Sequence, residues 1–300
     1  MAQAWKCAGL RWSAGSGPSL VWERGRSSPL TPGGRVAFAL PAGEGRRCGG
    51  ARGHPCPVRA AVPARGTGGR CEECARLDRA HSVAADGIAD DPRPYHVYLA
   101  WFGPGMVKVG ITAVERGDAR LLEQGAVCFS RFGTGPLMAA RRTEEVLRTA
   151  LRVPDRVPYG DKRAVRGDLP GDEAARAAEL AELHARALAL GGLPDSLTPE
   201  PFRPVDHLRV FGLASAPAAV GEVTELVPGG ALAGELVAVA GPDLHLAVEG
   251  ADGGGSHVVV LDTRLMTGWD LVPAPAAETR LTLPVRRFRR EGAGRQDGLF

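Results

Sequence analysis

Lysine is almost missing from this chain: Lys6, Lys108 and Lys162 are the whole complement among 37 basic side chains. That bias fits GC-rich coding better than any function. Aromatic residues are scarce at 5%, while glycine (41) and proline (24) are frequent, so turn chemistry punctuates the whole sequence. No run is long and apolar enough to span a membrane. The opening MAQAWKCAGLRWSAG has no apolar stretch of signal-peptide type. The expectation is a cytoplasmic protein whose cysteines are reduced rather than paired in disulfides. GADGGGS, the most glycine-rich stretch, is not followed by Lys-Ser or Lys-Thr, which excludes a phosphate-binding loop and leaves a turn.

Net charge is also small, at +3, but it is unevenly placed. Residues 1–80 carry +8, residues 81–170 carry +2, residues 171–285 carry −10 and residues 286–300 carry +3. A basic N-terminal half points to a nucleic-acid face, unless folding spreads the arginines.

Three hundred residues suffice for two or three domains with substantial cores. Residues 1–45 read as a small β region, with strand-like Ala8–Trp12, Ser19–Trp22 and Arg35–Leu40 between glycine and proline turns. Trp5, Trp12 and Trp22 are its expected core. Residues 46–80 hold Cys48, Cys56, Cys71 and Cys74 in a C-x7-C-x14-C-x2-C spacing. Four sulfur ligands suit tetrahedral zinc, and Cys71-Glu72-Glu73-Cys74 supplies the tight pair of a zinc knuckle. His54 is a possible substitute for Cys48 or Cys56. A metal would give this Gly- and Pro-rich segment a reason to be ordered. Such a site is structural, because protein fills all four positions.

The most informative stretch is YHVYLAWFGPGMVKVGITAVERGDARLLEQGA, residues 95–126. It reads as a strand, a Gly-Pro-Gly turn, a strand with alternating Val107, Val109 and Ile111, and then a basic helix. Arg116 and Arg120 fall four apart, hence on one helical face. Downstream, Leu137, Ala140, Glu144, Leu147 and Leu151 form a stripe at helical spacing. Glu144 interrupts it, and a carboxylate on an apolar face is costly unless paired or bound to metal. Pairing with Arg148, four residues on, is the plainer alternative.

This order resembles the core of the GIY-YIG nuclease superfamily. His96-Val97-Tyr98 stands at the first signature triplet, Lys108-Val109-Gly110 at the second, and Arg120-Leu121 at the opening of the helix. A second triplet that begins with lysine is similar to the phage-type branch. The chain as a whole also resembles a bacterial domain-of-unknown-function family, domain of unknown function 2797, which names no activity. The nuclease resemblance implies phosphodiester hydrolysis with Tyr98, Lys108, Arg120 and Glu144 as the catalytic set. In it a strand residue is the base, Arg120 stabilises charge on the phosphate, and Glu144 holds one Mg²⁺ or Mn²⁺. Many active members carry tyrosine where this chain has Lys108. Either a desolvated lysine or Tyr98 serves as base, or Lys108 only binds phosphate.

Residues 95–170 are assigned to this core. Within it RVPDRVPYGDKRAVRGDLPGD reads as a basic loop in which Tyr159, Lys162 and Arg163, with Arg116, could line a nucleic-acid groove. Residues 172–192 read as a packing helix begun by Asp172 and stopped by Gly191-Gly192. Residues 205–285 read as an acidic β-rich domain with strands at Val205–Leu213, Gly221–Val227, Gly234–Val239, Leu244–Val248 and His257–Leu261, which the N-terminal strands could join. Residues 286–300 form a basic tail expected to be flexible. Its ending, Gln296-Asp297-Gly298-Leu299-Phe300, resembles the short peptide by which bacterial replication and repair proteins dock on the sliding clamp. In that motif glutamine makes polar contacts and the Leu-Phe pair fills an apolar pocket.

The fold expected is α+β: a small antiparallel GIY-YIG-like sheet with helices, preceded by a zinc-binding cysteine module and followed by a β-rich domain. The function expected is a divalent-metal-dependent endonuclease acting on DNA, favoured over RNA, in repair or replication. The alternative is a non-catalytic zinc-containing nucleic-acid-binding or adaptor protein.

Overall fold

Glycine and proline turns cut the N-terminal stretch into β1 (Trp5–Ser13), β2 (Gly17–Trp22), β3 (Ser27–Pro29) and β4 (Arg35–Ala39). The computed structural model describes residues 3–13, 15–43, 45–80, 91–250, 255–274 and 281–288. Of the three tryptophans expected as a core, only Trp12 is buried; its indole N–H donates to the Gly241 carbonyl at 2.8 Å and its ring meets Phe211 edge-on. Trp5 and Trp22 are half-buried and pair edge to face, with ring centres 6.3 Å apart. The cysteine-bearing loops follow β4 and lead into α1 (Glu72–Ala80).

The central unit comprises β5 (Pro94–Trp101), β6 (Val107–Ala113), α2 (Ala119–Gln124), β7 (Cys128–Pro136), α3 (Leu137–Leu151), α4 (Tyr159–Val165), α5 (Glu173–Leu188), β8 (Thr198–Pro199) and β9 (Val205–Asp206). Its antiparallel sheet runs β6-β5-β7-β8, with β9 also paired to β7. Gly103-Pro104-Gly105 turns β5 into β6; Gly105 adopts a φ of 70°, which glycine tolerates at no steric cost. Side chains alternate strictly. Tyr95, Val97, Leu99, Trp101, Val109 and Ala113 enter the main core, which Leu137, Ala140 and Leu147 of α3 and Leu180 and Leu183 of α5 also join. His96, Tyr98, Ala100, Lys108, Gly110 and Thr112 take the other face, where Tyr98, Ala100 and Phe102 pack with Leu121, Phe129 and Val157 in a second cluster.

The helix expected from Asp172 is present as α5, its first turn capped by the Asp172 carboxylate, which accepts from the Ala174 and Ala175 amides. The basic stretch expected to be a loop instead contains α4. Seven residues are too few for a periodic signal, and partners from other elements stabilise this short helix.

The C-terminal strands are β10 (Gly221–Val223), β11 (Ala231–Ala240), β12 (Asp243–Glu249), β13 (Ser256–Asp262), β14 (Asp270–Leu271) and β15 (Val285–Arg287). Six of the strands assemble as β15-β10-β13-β12-β11-β4, and four more as β14-β1-β2-β3. The N-terminal strands therefore do join the C-terminal ones. The strand expected over Val205–Leu213 stops after Asp206 and belongs to the central sheet instead. There the His207 amide donates to Val127 at 2.7 Å, and the chain then turns. The expected flexible tail begins within β15, so Arg286 and Arg287 lie in a strand. Two left-handed glycines bring the units together: Gly125 ends α2, Gly241 turns β11 into β12, and a β-carbon on Gly241 would lie 3.0 Å from the Gly125 amide. Among the described residues no helix is long and apolar enough to cross a membrane.

Candidate functional site

The unbroken β5–β6 register sets Tyr98 opposite Gly110 and Ala100 opposite Lys108, which puts Tyr98 and Lys108 side by side on one sheet face. The Lys108 ammonium lies 5.7 Å from the centre of the Tyr98 ring and donates to the Asp155 carbonyl at 3.1 Å. Tyr98 is 2% exposed, and its hydroxyl accepts from Gln124 Nε2 at 2.9 Å. Arg120 stands exposed in the first turn of α2, with its guanidinium 3.9 Å from the Glu123 carboxylate. Glu144 is half-buried on α3, with no hydrogen bond or ion pair among the described residues. Arg148, its alternative partner, grips Glu145 at 2.6 Å instead.

Tyr98 and Lys108 each feel the charges of Arg120 and Glu144. Burial, reinforced by Arg120, lowers Lys108 to about 8, and Glu144 partly opposes the shift. Burial raises the Tyr98 phenol above its ordinary value, with Arg120 and the Gln124 hydrogen bond pulling it back. Burial also raises the Glu144 carboxyl, against the pull of Lys108. Sequence reasoning missed Gln124 and Asp155. Neither carries a local signal, because each meets its partner only through tertiary folding.

The residues expected to line a nucleic-acid groove are placed differently from one another. Arg116 lies in the single 3-10 turn Val114–Arg116 rather than in α2, because Gly117, at φ 49°, separates the two. Arg116 and Arg120 therefore do not share a helical face; they approach Glu123 from two elements, Arg116 at 2.7 Å. Tyr159, half-buried, donates to the Glu123 carbonyl at 3.3 Å and lies beneath the Arg264 guanidinium at 4.1 Å. Lys162 is 3% exposed, donates to the Gln124 carbonyl at 2.9 Å and sits 3.8 Å from the centre of the Phe102 ring. Its burial lowers its pKa to about 7. Neither Lys162 nor Arg163 stands on an open groove.

Arg163 instead reaches three buried carboxylates: Asp262 at 2.5 Å, Asp243 at 2.6 Å and Glu222 at 2.8 Å. Arg166 also holds Asp243, Arg264 holds Asp262, and Arg286 holds Glu222. Burial alone would raise the Asp243 carboxyl, but Arg166 and Arg163 hold it below the usual carboxylate range. Acidic residues of the C-terminal sheet thus meet Arg163 of α4 and Arg166 just after it, so part of the charge segregation along the chain cancels inside the fold. Gln296, Leu299 and Phe300 lie outside the described residues.

The sulfurs of Cys48, Cys56, Cys71 and Cys74 all lie within 4.8 Å of one another. Tetrahedral zinc–thiolate bonds of ~2.3 Å place sulfurs ~3.8 Å apart, so the four could hold one metal ion. His54 is exposed and stands outside this cluster. Two sequence-distant loops and the start of α1 supply the ligands. The Cys71 amide donates to Cys48 Sγ at 3.2 Å, and the Gly50 amide points to the same sulfur at 3.4 Å. A donor from Ala60 leads in bringing Cys56 down to about 7. Such amide donors favour the thiolate a metal requires. Arg46, 2% exposed, anchors the module by donating to the carbonyls of Thr267, Pro63, Gly66 and Arg264.

Compared with known proteins, residues 64–271 match the model of a family described as "Protein of unknown function (DUF2797)". The match includes the central unit and Cys71 and Cys74, and begins after Cys48 and Cys56. No curated protein and no solved structure matches the chain.

Proposed function

The chain belongs to the DUF2797 family, and from that premise we propose that it is a divalent-metal-dependent endonuclease acting on DNA, built on a GIY-YIG-like core. The observation that carries this reading is Tyr98 and Lys108 side by side across β5 and β6, with Arg120 of α2 and Glu144 of α3 near enough to act on both. A half-buried carboxylate that feels the Lys108 charge suits a site that receives phosphate and a divalent cation.

In this reading Arg120, exposed and planar, forks onto the phosphate oxygens of the scissile bond. Lys108, mostly protonated at pH 7 with its pKa near 8, adds a second charge to the same phosphate from the strand side. Tyr98, tied to Gln124, forms the floor beneath them. Glu144 would hold Mg²⁺ or Mn²⁺, with substrate phosphate and waters completing the shell, and the ion would supply charge stabilisation at the leaving oxygen. Cys48, Cys56, Cys71 and Cys74 would hold a structural zinc that orders residues 46–74 away from the reaction.

One observation favours a second reading, a non-catalytic nucleic-acid-binding adaptor on the same scaffold. Tyr98 and Lys108 both hold their protons at neutral pH, and so make a better phosphate cradle than a base. Incubating labelled single-stranded, duplex, flap and branched DNA with the protein and Mg²⁺ or Mn²⁺ separates the two. Cleavage lost in Glu144→Ala supports the endonuclease. Binding without cleavage, equal in both proteins, supports the adaptor.

A further inference from the structure

His96 begins the first signature triplet, yet the proposed catalytic set leaves it without a role. It lies two residues before Tyr98 on β5 and shares its sheet face, about 7 Å away along the strand. On β7, Thr134 is its register partner. His96 Nδ1 and Thr134 Oγ1 are 2.6 Å apart, and the same hydroxyl donates to Glu200 Oε1 at 2.6 Å. Glu200 Oε1 is itself 3.4 Å from His96 Nδ1. The Glu200 amide donates to the Phe132 carbonyl at 2.8 Å, which pins the carboxylate's segment to β7.

This geometry sets the tautomer. A hydroxyl has one hydrogen and an ionised carboxylate can only accept, so Thr134 spends its hydrogen on Glu200. Nδ1 of His96 must then be the N–H donor to Thr134, which leaves Nε2 with a free lone pair. No described residue hydrogen-bonds that nitrogen. Across the strand pair, the register partner Thr112 carries a buried hydroxyl with no partner among the described residues. An orphan hydroxyl opposite an imidazole with a free lone pair is a suitable seat for a water molecule.

We infer that His96, held by the Thr134–Glu200 relay, is the general base that takes a proton from the attacking water. This rests on the endonuclease reading, and it supplies the base that reading lacks. In the step, the proton passes from water to His96 Nε2 and the water oxygen bonds to phosphorus. The P–O bond to one sugar breaks, and the leaving oxygen takes a proton from solvent. Burial and Arg131 on β7 lower the imidazole's affinity for protons, while Glu200 and Asp118, the residue before α2, oppose them. The ring is therefore neutral at pH 7, as a base must be before it acts.

The test is the pH–rate profile of metal-supplemented full-length protein and its variants, on whichever DNA the wild type cleaves. His96→Gln is expected to lower kcat by about 10²- to 10⁴-fold and to remove the acidic limb of the profile, with DNA affinity unchanged. Thr134→Val is expected to keep partial activity and shift that limb to lower pH, because imidazolium loses its link to Glu200. Ring ¹⁵N shifts of His96 in the unaltered protein read the tautomer without any substitution. Three results would overturn the inference. If the wild type cleaves and Glu144→Ala does not, while His96→Gln keeps rate and profile, this inference fails and the endonuclease reading stands. An Nε2-protonated ring sinks it too. If the wild type cleaves nothing, both readings fall together.

Discussion

The Tyr98 hydroxyl lies directly over the α-carbon of Gly110, its partner across the β5–β6 ladder. A β-carbon built on Gly110 would meet that oxygen at 2.3 Å and the adjoining ring carbon at 2.5 Å. Glycine at position 110 is thus what the buried Tyr98 ring requires where it lies. Gly110→Ala is expected to displace Tyr98 and break its bond to Gln124, at about 1–3 kcal/mol of stability. Urea unfolding reads that loss. An unchanged midpoint would mean that the ring can move aside.

Lys108 makes stability depend on alkaline pH. Its pKa in the folded protein, about 8, lies below the ordinary lysine value, so between those values the unfolded chain binds the extra proton. Folding is therefore penalised in full below about pH 8, and the penalty fades as pH rises toward 10.5. Lys108→Met is expected to stabilise the protein at pH 7 by on the order of 2 kcal/mol, with the gain shrinking by pH 9.5. Paired denaturation curves at the two pH values check this; a gain independent of pH would contradict it.

Removing the metal from the cysteine cluster should loosen one region first. About one equivalent of zinc per chain is expected on release by a thiol-reactive reagent. After chelation, hydrogen-exchange protection is expected to fall across residues 46–74. Protection in β5 and β7 should persist, because their core does not include the cluster. Uniform loss across the molecule would show instead that the module and the core unfold as one.

Asp243 and Arg120 should separate stability from function. Asp243, wholly buried, is shared by Arg163 and Arg166, and Asp243→Asn leaves buried Arg166 without its carboxylate while Arg163 keeps Asp262 and Glu222. The expected cost is about 3–5 kcal/mol. The wild type should lose the same contribution as pH falls through the depressed Asp243 pKa, since that carboxylate stabilises only while ionised. Arg120→Ala removes an exposed side chain with one weak pair and is expected to shift stability by less than ~1 kcal/mol while abolishing DNA cleavage. Thermal melts set beside cleavage assays distinguish the two variants; an Arg120→Ala protein as unstable as Asp243→Asn would assign the arginine a structural role.

Much of the local structure was legible in the chain. Gly103-Pro104-Gly105 marked a hairpin, Asp172 marked a helix start, and Gly-Pro, Asp-Gly and Gly-Gly punctuation bounded β11, β12 and β13, because turn and cap residues act within a few positions. The four cysteines were legible as a set, since thiols gather for few reasons other than a metal. The pairing of β4 with β11 and β14 with β1 could be raised from the sequence but not decided.

What only the tertiary structure decided is what distant charges do. Arg163 looks like a phosphate ligand in a basic stretch, but it lies beside Glu222, Asp243 and Asp262, which are 59 to 99 residues away. Lys162 looks equally available and is sealed against Phe102. Arg116 was taken by Glu123, which Arg120 approaches only at 3.9 Å from an exposed position. A charge's effect depends on its dielectric surroundings and its nearest counter-charge. Both are set by packing between elements far apart in sequence, so residue type and spacing determined the β5–β6 hairpin, α5 and the cysteine set, and the fold decided α4 and which charges face solvent.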